Sequence, residues 1–379
     1  MPSILPRRGV DQSRVSGESL APTSYTCSNS GHAWDNLTAP PVEGDPERAA
    51  PATPPLPLAL PGAVARTFDT PEFAGMTFYE VQAKSILNRA PGQSRVPFEW
   101  TINPYRGCTH ACRYCFARNT HTYLDLDAGA DFDRQVIVKV NAGELVRREL
   151  AAPKWRGAHV AMGTNVDCYQ RAEGRYRLMP QIIAALRDFT NPFSILTKGT
   201  LILRDLPLLR QAAEVTSVGI SFSVGFVDDQ LWRGVEPGTP HPSRRLDAVR
   251  RLTDAGFSVG VLMAPILPGL SDSEESIDAT VSAIAAAGAT DVTPLALHLR
   301  PGAREWYAQW LAREHPHLVP RYRELYRSGA YAPQAYQREL TARVRIAARR
   351  HGLLRGEPGD NRRLPAPPPA PPAEQLTLL

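Results

Sequence analysis

Read for apolar periodicity, the chain divides into an unpatterned start, a middle where short apolar runs alternate with amphipathic helices, and an arginine-rich end. Over 1–66, Pro, Ser, Ala and Gly recur with neither a helical nor a strand period, which predicts a disordered leader. Cys27 and His32 within it are read as solvent-exposed. Amphipathic order begins at Thr70-Pro71-Glu72-Phe73-Ala74-Gly75 and reaches residue 88, as expected of a collar packed on a core. A buried strand follows at Phe98-Glu99-Trp100-Thr101-Ile102. Strands are predicted next at 135–140, 159–162, 193–197, 217–223, 258–263 and 292–299, and helices at 144–150, 179–189, 205–213, 243–255 and 273–287. Gly256 closes one of these helices.

Regular alternation of strand and helix implies parallel strands joined by right-handed crossovers. Six or seven such units make an α/β fold, an open, partial (β/α)6-type TIM-like barrel, placed over 67–300. A helical extension follows over 301–356, and a Pro- and Ala-rich tail over 357–379 completes the chain.

Composition narrows the class. Of 379 residues, 43% are hydrophobic, enough for a large core. The net charge of +5 is mildly basic and permits a polyanionic partner without requiring one. No apolar run approaches the roughly 20 residues of a membrane span. With no secretory signal and with thiols that must stay reduced, the expected compartment is the cytoplasm.

The candidate chemistry is concentrated in Asn103-Pro104-Tyr105-Arg106-Gly107-Cys108-Thr109-His110-Ala111-Cys112-Arg113-Tyr114-Cys115-Phe116-Ala117-Arg118, which places three of the chain's 5 cysteines in one loop. Three thiolates so spaced suit a 4Fe-4S cluster with one iron left open for chemistry. Structural zinc would need a fourth ligand, for which only His110 is near, and zinc ligands usually come as two separated pairs. A disulfide framework is disfavoured by the odd cysteine count. Tyr114 and Phe116, flanking the last cysteine, are suited to carry a flat heteroaromatic ring and to shield a cluster.

The C-x3-C-x2-C spacing with its aromatic neighbour resembles the signature of the radical S-adenosylmethionine (SAM) enzymes. The longer phrase from Asn103 to Arg118 resembles the spore-photoproduct-lyase-like branch. The resemblance implies Cys108, Cys112 and Cys115 as ligands of a reduced 4Fe-4S cluster whose open iron chelates SAM. It also implies an electron donor of the reductase or flavodoxin type, and a 5′-deoxyadenosyl radical that takes a hydrogen atom from substrate. The Gly-Gly-Glu stretch that usually receives the SAM amino group is missing; Gly163-Thr164-Asn165, with Asp167, occupies the comparable place past a strand end. Lys198 and Ser221, read as strand-end residues, resemble those that bind the SAM carboxylate and ribose. Photoproduct lyases return a hydrogen atom from a cysteine that aligns near Gly163. This chain has none there; Cys168 is either a replacement from a shifted place or a bystander cysteine, and repair of the spore dimer is not the expectation.

Four further features stay open at this stage. His298 and Arg300 close the last strand and are candidates to meet a substrate phosphate, and Glu236 in Glu236-Pro237-Gly238-Thr239-Pro240 is a lid residue or a turn former. Arg and Tyr interleave over 321–350, a pattern that suits nucleic acid or a solvated helix face. The terminal Gln375-Leu376-Thr377-Leu378-Leu379 resembles the peptide by which bacterial repair proteins dock on the DNA sliding clamp. The expectation is a radical SAM enzyme acting on DNA or attached to DNA repair. The alternatives are the same chemistry on RNA, peptide or a small molecule, and a non-enzymatic metal-binding protein that associates with DNA and the clamp.

Overall fold

The computed structural model describes residues 60–90 and 98–353. Cys27, His32 and the proposed clamp peptide lie outside these residues. Among the described residues there are eleven strands: β1 (Val64–Arg66), β2 (Thr77–Val81), β3 (Leu87–Arg89), β4 (Trp100–Ile102), β5 (Tyr105–Arg106), β6 (Gln135–Lys139), β7 (Val160–Met162), β8 (Phe193–Thr197), β9 (Val218–Ser223), β10 (Val259–Ile266) and β11 (Asp291–Ala296).

Seven of them form one open sheet in the order β11-β10-β9-β8-β7-β4-β3. Every pairing from β4 to β11 is parallel, and only β3 runs antiparallel at the edge. These six parallel strands are the expected partial barrel. The run at 135–140 is a strand, but β6 is not one of the barrel units. It pairs with β2 and β5 in a separate four-stranded sheet, β1-β2-β6-β5. Membership of that sheet also moves the start of order earlier than residue 67, because Val64–Arg66 pairs with Phe78, Tyr79 and Glu80 of β2.

The crossover helices bury one apolar stripe each on the parallel sheet, as amphipathic helices must. Leu178–Asp188 buries Met179, Ile182, Ile183 and Leu186, and these meet Ile102, Met162 and Ile195 in one continuous core. The carboxyl-terminal helices Ala303–Glu314 and Val319–Leu325 carry a second core, built on Tyr307, Trp310, Tyr322 and Tyr326 together with Cys112 and Tyr114. The cysteine loop therefore lies between the barrel core and the helical extension.

Candidate active site

Short strand β5 delivers the chain into the cysteine loop, and main-chain bonds from three directions brace it. The Cys108 amide donates to the Phe132 carbonyl at 3.0 Å, the Arg113 amide to Val235 at 2.9 Å, and the Thr109 amide to the Gln170 side chain at 2.8 Å. Arg118, fully buried, donates to the Cys112 carbonyl through Nε and Nη2 and pairs both oxygens of Asp133. Its guanidinium also lies 5.0 Å from the Trp306 ring centroid, which ties the loop to the helical extension.

Cys108, Cys112 and Cys115 are free thiols, the first two buried and the third half-buried. Burial raises the pKa of all three, and at Cys108 the charge of Asp167 raises it further. Among the described residues no three His, Cys, Asp or Glu side chains gather around a single ion. A cluster in which each thiolate meets its own iron needs no such gathering. His110 is engaged elsewhere, with Nδ1 3.4 Å from Asp167 and 2% of the residue exposed. Three thiols on one braced loop, with the one nearby histidine held by a carboxylate, fit a cluster with three protein ligands.

Asp167 lies past the end of β7 and joins β7, β8 and the cysteine loop. Its Oδ1 accepts from the Tyr169 amide and the Thr197 hydroxyl, and its Oδ2 from the Lys198 amide at 2.6 Å. Burial works against its charge, but His110, Lys198 and Thr197 hold its pKa down to about 2. A carboxylate so occupied positions the loop and the strand ends. Thr164 and Asn165 are half-buried in the bend between β7 and Asp167.

Lys198 follows β8 directly and its ammonium donates to the Ser223 hydroxyl at 2.6 Å, with Glu236 at 3.9 Å and the Tyr114 ring centroid at 5.8 Å. The strand end expected at Ser221 is two residues further on. Ser221 is paired in register between Leu196 and Gly260, whereas Ser223 ends β9 and holds the lysine.

Glu236 is neither lid nor simple turn former, since it is fully buried. One carboxylate oxygen accepts from the Tyr114 hydroxyl and the other pairs with Arg245, itself 1% exposed. Burial disfavours the charge, yet Arg245 and Lys198 beside it keep its pKa below the ordinary value. The rest of that loop presses on the cysteine loop. The Gly238 amide donates to His110 at 3.1 Å, and a Cβ at 238 would sit 2.2 Å from the Thr109 carbonyl oxygen.

Cys168 is fully buried in the barrel core, and burial raises its pKa well above the ordinary thiol value. Gly163 has φ +74° and an added Cβ would lie 1.8 Å from the Leu196 carbonyl oxygen, so no side chain fits there. His298 stacks between Phe116 and Tyr331, each ring 5.5 Å away, and burial with Arg300 nearby lowers its pKa to about 4. Arg300 lies over Phe116 and donates to the Tyr331 hydroxyl.

The functional residues that the sequence reading missed are Arg118, Ser223 and Arg245. Arg118 closes the quoted cysteine phrase and Ser223 shares the face of Ser221, so each left a local signal. Arg245 sits in an ordinary amphipathic helix, Pro242–Asp254, and left none.

Residues 102–280 match the model of the radical SAM superfamily. The chain belongs to the radical SAM superfamily. It is 50% identical over 325 residues to an uncharacterized protein of Mycobacterium tuberculosis, covering 85% of this chain and 93% of that one. An uncharacterized protein of Methanocaldococcus jannaschii is 28% identical over 203 residues, 53% of this chain and 72% of its own length. Among solved structures, a spore photoproduct lyase matches with TM-score 0.54 and 16% identity, covering 72% of this chain and 78% of that chain. Another, with bound AdoMet and dinucleoside spore photoproduct, matches with TM-score 0.53 and 17% identity over the same shares. These neighbours share the fold. This radical SAM protein is an enzyme, and SAM is the small molecule its family implies. Among the described residues no helix is long and apolar enough to cross a membrane.

Proposed function

We propose that this enzyme holds a 4Fe-4S cluster through Cys108, Cys112 and Cys115 and cleaves SAM reductively to act on DNA, in repair or modification. The observation that carries the chemistry is the braced three-thiol loop with the Lys198 ammonium beside it at the carboxyl end of the parallel sheet. When bound, the cluster and SAM supply an electron and a carbon-centred radical that abstracts hydrogen from substrate. The chain's own residues do the positioning. Lys198 offers a fixed positive charge for the SAM carboxylate, Ser223 and Glu236 aim it, and Asp167 holds the Lys198 backbone against the cysteine loop. Thr164 and Asn165, half-buried past β7, are the polar groups for the SAM amino end, with Ser221 for the ribose.

Spore-dimer repair through a thiol at 163 is not part of this reading, because Gly163 has no room for one and Cys168 is buried in the core. A reducing compartment, the cytoplasm, suits three thiols that must bind iron. An electron donor of the flavodoxin or reductase type belongs to the same reading.

The test is anaerobic reconstitution with iron and sulfide, then dithionite and SAM, following 5′-deoxyadenosine for wild type and Cys112→Ala. Product from wild type alone supports the reading. If a cluster forms and SAM survives in both, a binding protein that associates with DNA and the sliding clamp takes its place.

A further inference from the structure

The arginine- and tyrosine-rich end of the chain reads in sequence as one basic face with aromatic platforms, and folding takes that face apart. Tyr322 and Tyr326 are fully buried, and the Tyr336 hydroxyl donates to Asp272. Four arginines are paired, Arg321 with Asp272, Arg327 with Glu324, Arg343 with Glu339 and Arg350 with Asp278, and Arg323 is engaged as well. What remains is a stripe of three. Arg338, Arg345 and Arg349 are exposed and make no hydrogen bond or ion pair among the described residues.

All three lie on the helix Gln334–Arg350, seven and four residues apart, which puts them on one side of it. At about 1.5 Å per residue they are about 10 Å and 6 Å apart along the axis. The opposite side buries Leu340, Val344, Ala347 and Ala348 against Met263, Ile266, Ile277 and Val281, so the helix is fixed and the arginine side points away from the body. The other residues lining the same surface, Gln334, Thr341 and Ile346 among them, are neutral, and the adjacent exposed Glu339 is paired with Arg343.

We propose that this face docks the phosphate backbone of duplex DNA. The inference rests on the nucleic-acid reading of the function given above and names the surface that would serve it. Arginine forks match phosphate oxygens, and three of them released from internal pairing contribute a charge that internal salt bridges do not cancel. Tyr322 and Tyr326 are in the core, Tyr336 is turned onto Asp272 and the exposed Tyr331 stacks on His298 ahead of this helix, so the arginine side itself carries no platform for unstacked bases. Contacts to phosphates alone position a duplex without reading its sequence. An acidic protein surface is the other occupant such a stripe would take, with Ile346, 57% exposed, as its apolar contact.

The test uses the full chain and a short labelled DNA duplex, without SAM or reductant, over about 0.05 to about 0.2 M salt. Each phosphate contact adds about 0.9 to the slope of log affinity against log salt, so the variant Arg338→Gln/Arg345→Gln/Arg349→Gln should bind at least tenfold more weakly at the low-salt end, with a slope shallower by about three. The loss should be the same for unrelated duplex sequences, with circular dichroism unchanged. Equal affinity and slope for variant and wild type overturn the proposal. So does displacement of wild type by polyglutamate at concentrations where excess duplex does not compete, which assigns the face to an acidic protein. Wild type that makes 5′-deoxyadenosine but binds no duplex removes the docking surface and leaves the radical chemistry standing. Arginine-dependent duplex binding by protein that cleaves no SAM does the reverse.

Discussion

The Tyr114 hydroxyl donates to Glu236, 122 residues further along the chain, so the side chain between Cys112 and Cys115 is anchored to the buried Glu236–Arg245 ion pair. Breaking a buried pair from one side leaves the other charge unpaired, which costs about 3–5 kcal/mol. Glu236→Leu and Arg245→Met should each fall in that range by urea denaturation, while the two combined should cost less than the sum. Tyr114→Phe removes only the hydroxyl and should cost about 1–2 kcal/mol. Strict additivity in the double variant would mean the two charges do not act as a pair.

Arg118 braces the Cys112 carbonyl from inside the protein. Arg118→Met leaves Asp133 buried without its partner and frees that carbonyl, so stability should drop by about 3–5 kcal/mol. Iron bound per chain after anaerobic reconstitution should fall with it. Arg118→Lys, a point charge without the planar fork, should recover only part of the iron. Full iron loading in the methionine variant would separate the brace from the metal site.

Gly163 predicts the failure of an obvious experiment. Installing a thiol there, Gly163→Cys, forces a left-handed backbone on a side chain and drives its Cβ into the Leu196 carbonyl. Both neighbours are backbone, so the expected loss is about 3 kcal/mol or more, and Gly163→Ala should lose nearly as much. A cysteine variant as stable as wild type would show that β7 and β8 can part at this point.

Asp167 gives acid sensitivity with a definite sign. Its pKa is about 2 when folded and 3.8 when unfolded, so its contribution is complete above 3.8 and is lost as pH falls toward 2. At about 1.4 kcal/mol per unit the contribution is about 2 kcal/mol. The stability gap between wild type and Asp167→Asn should therefore be wider at neutral pH than at pH about 2 by that amount. A gap that does not change with pH would mean the carboxylate titrates normally.

Local pattern was enough for most of the barrel. The run at 193–197 is β8 residue for residue, because a short strand-like run between two well-marked helices leaves little choice. The run at 135–140 is equally strand-like, and its period says nothing of which sheet receives it. Pairing to β2 and β5 decides that; β5 is a two-residue strand, and β2 lies inside the stretch read as a collar. The thiols and Lys198 were legible because spacing and strand ends are local properties. Glu236 was not, since nothing in Glu-Pro-Gly-Thr-Pro distinguishes a solvated turn from a carboxylate neutralised by an arginine on the next helix. Asp167 was read as facing a small molecule, whereas its oxygens are occupied by the protein's own donors.

In many small metalloproteins the metal supplies the folding energy and the ligand loop has no shape without it. Here the amides of Cys108, Thr109 and Arg113 and the carbonyl of His110 all bond to polypeptide, so the loop's shape belongs to the chain. On the proposed reading, iron would meet ligands already in place. Loading and stripping should be cyclic, with the loaded form melting higher because the bound metal favours the folded chain.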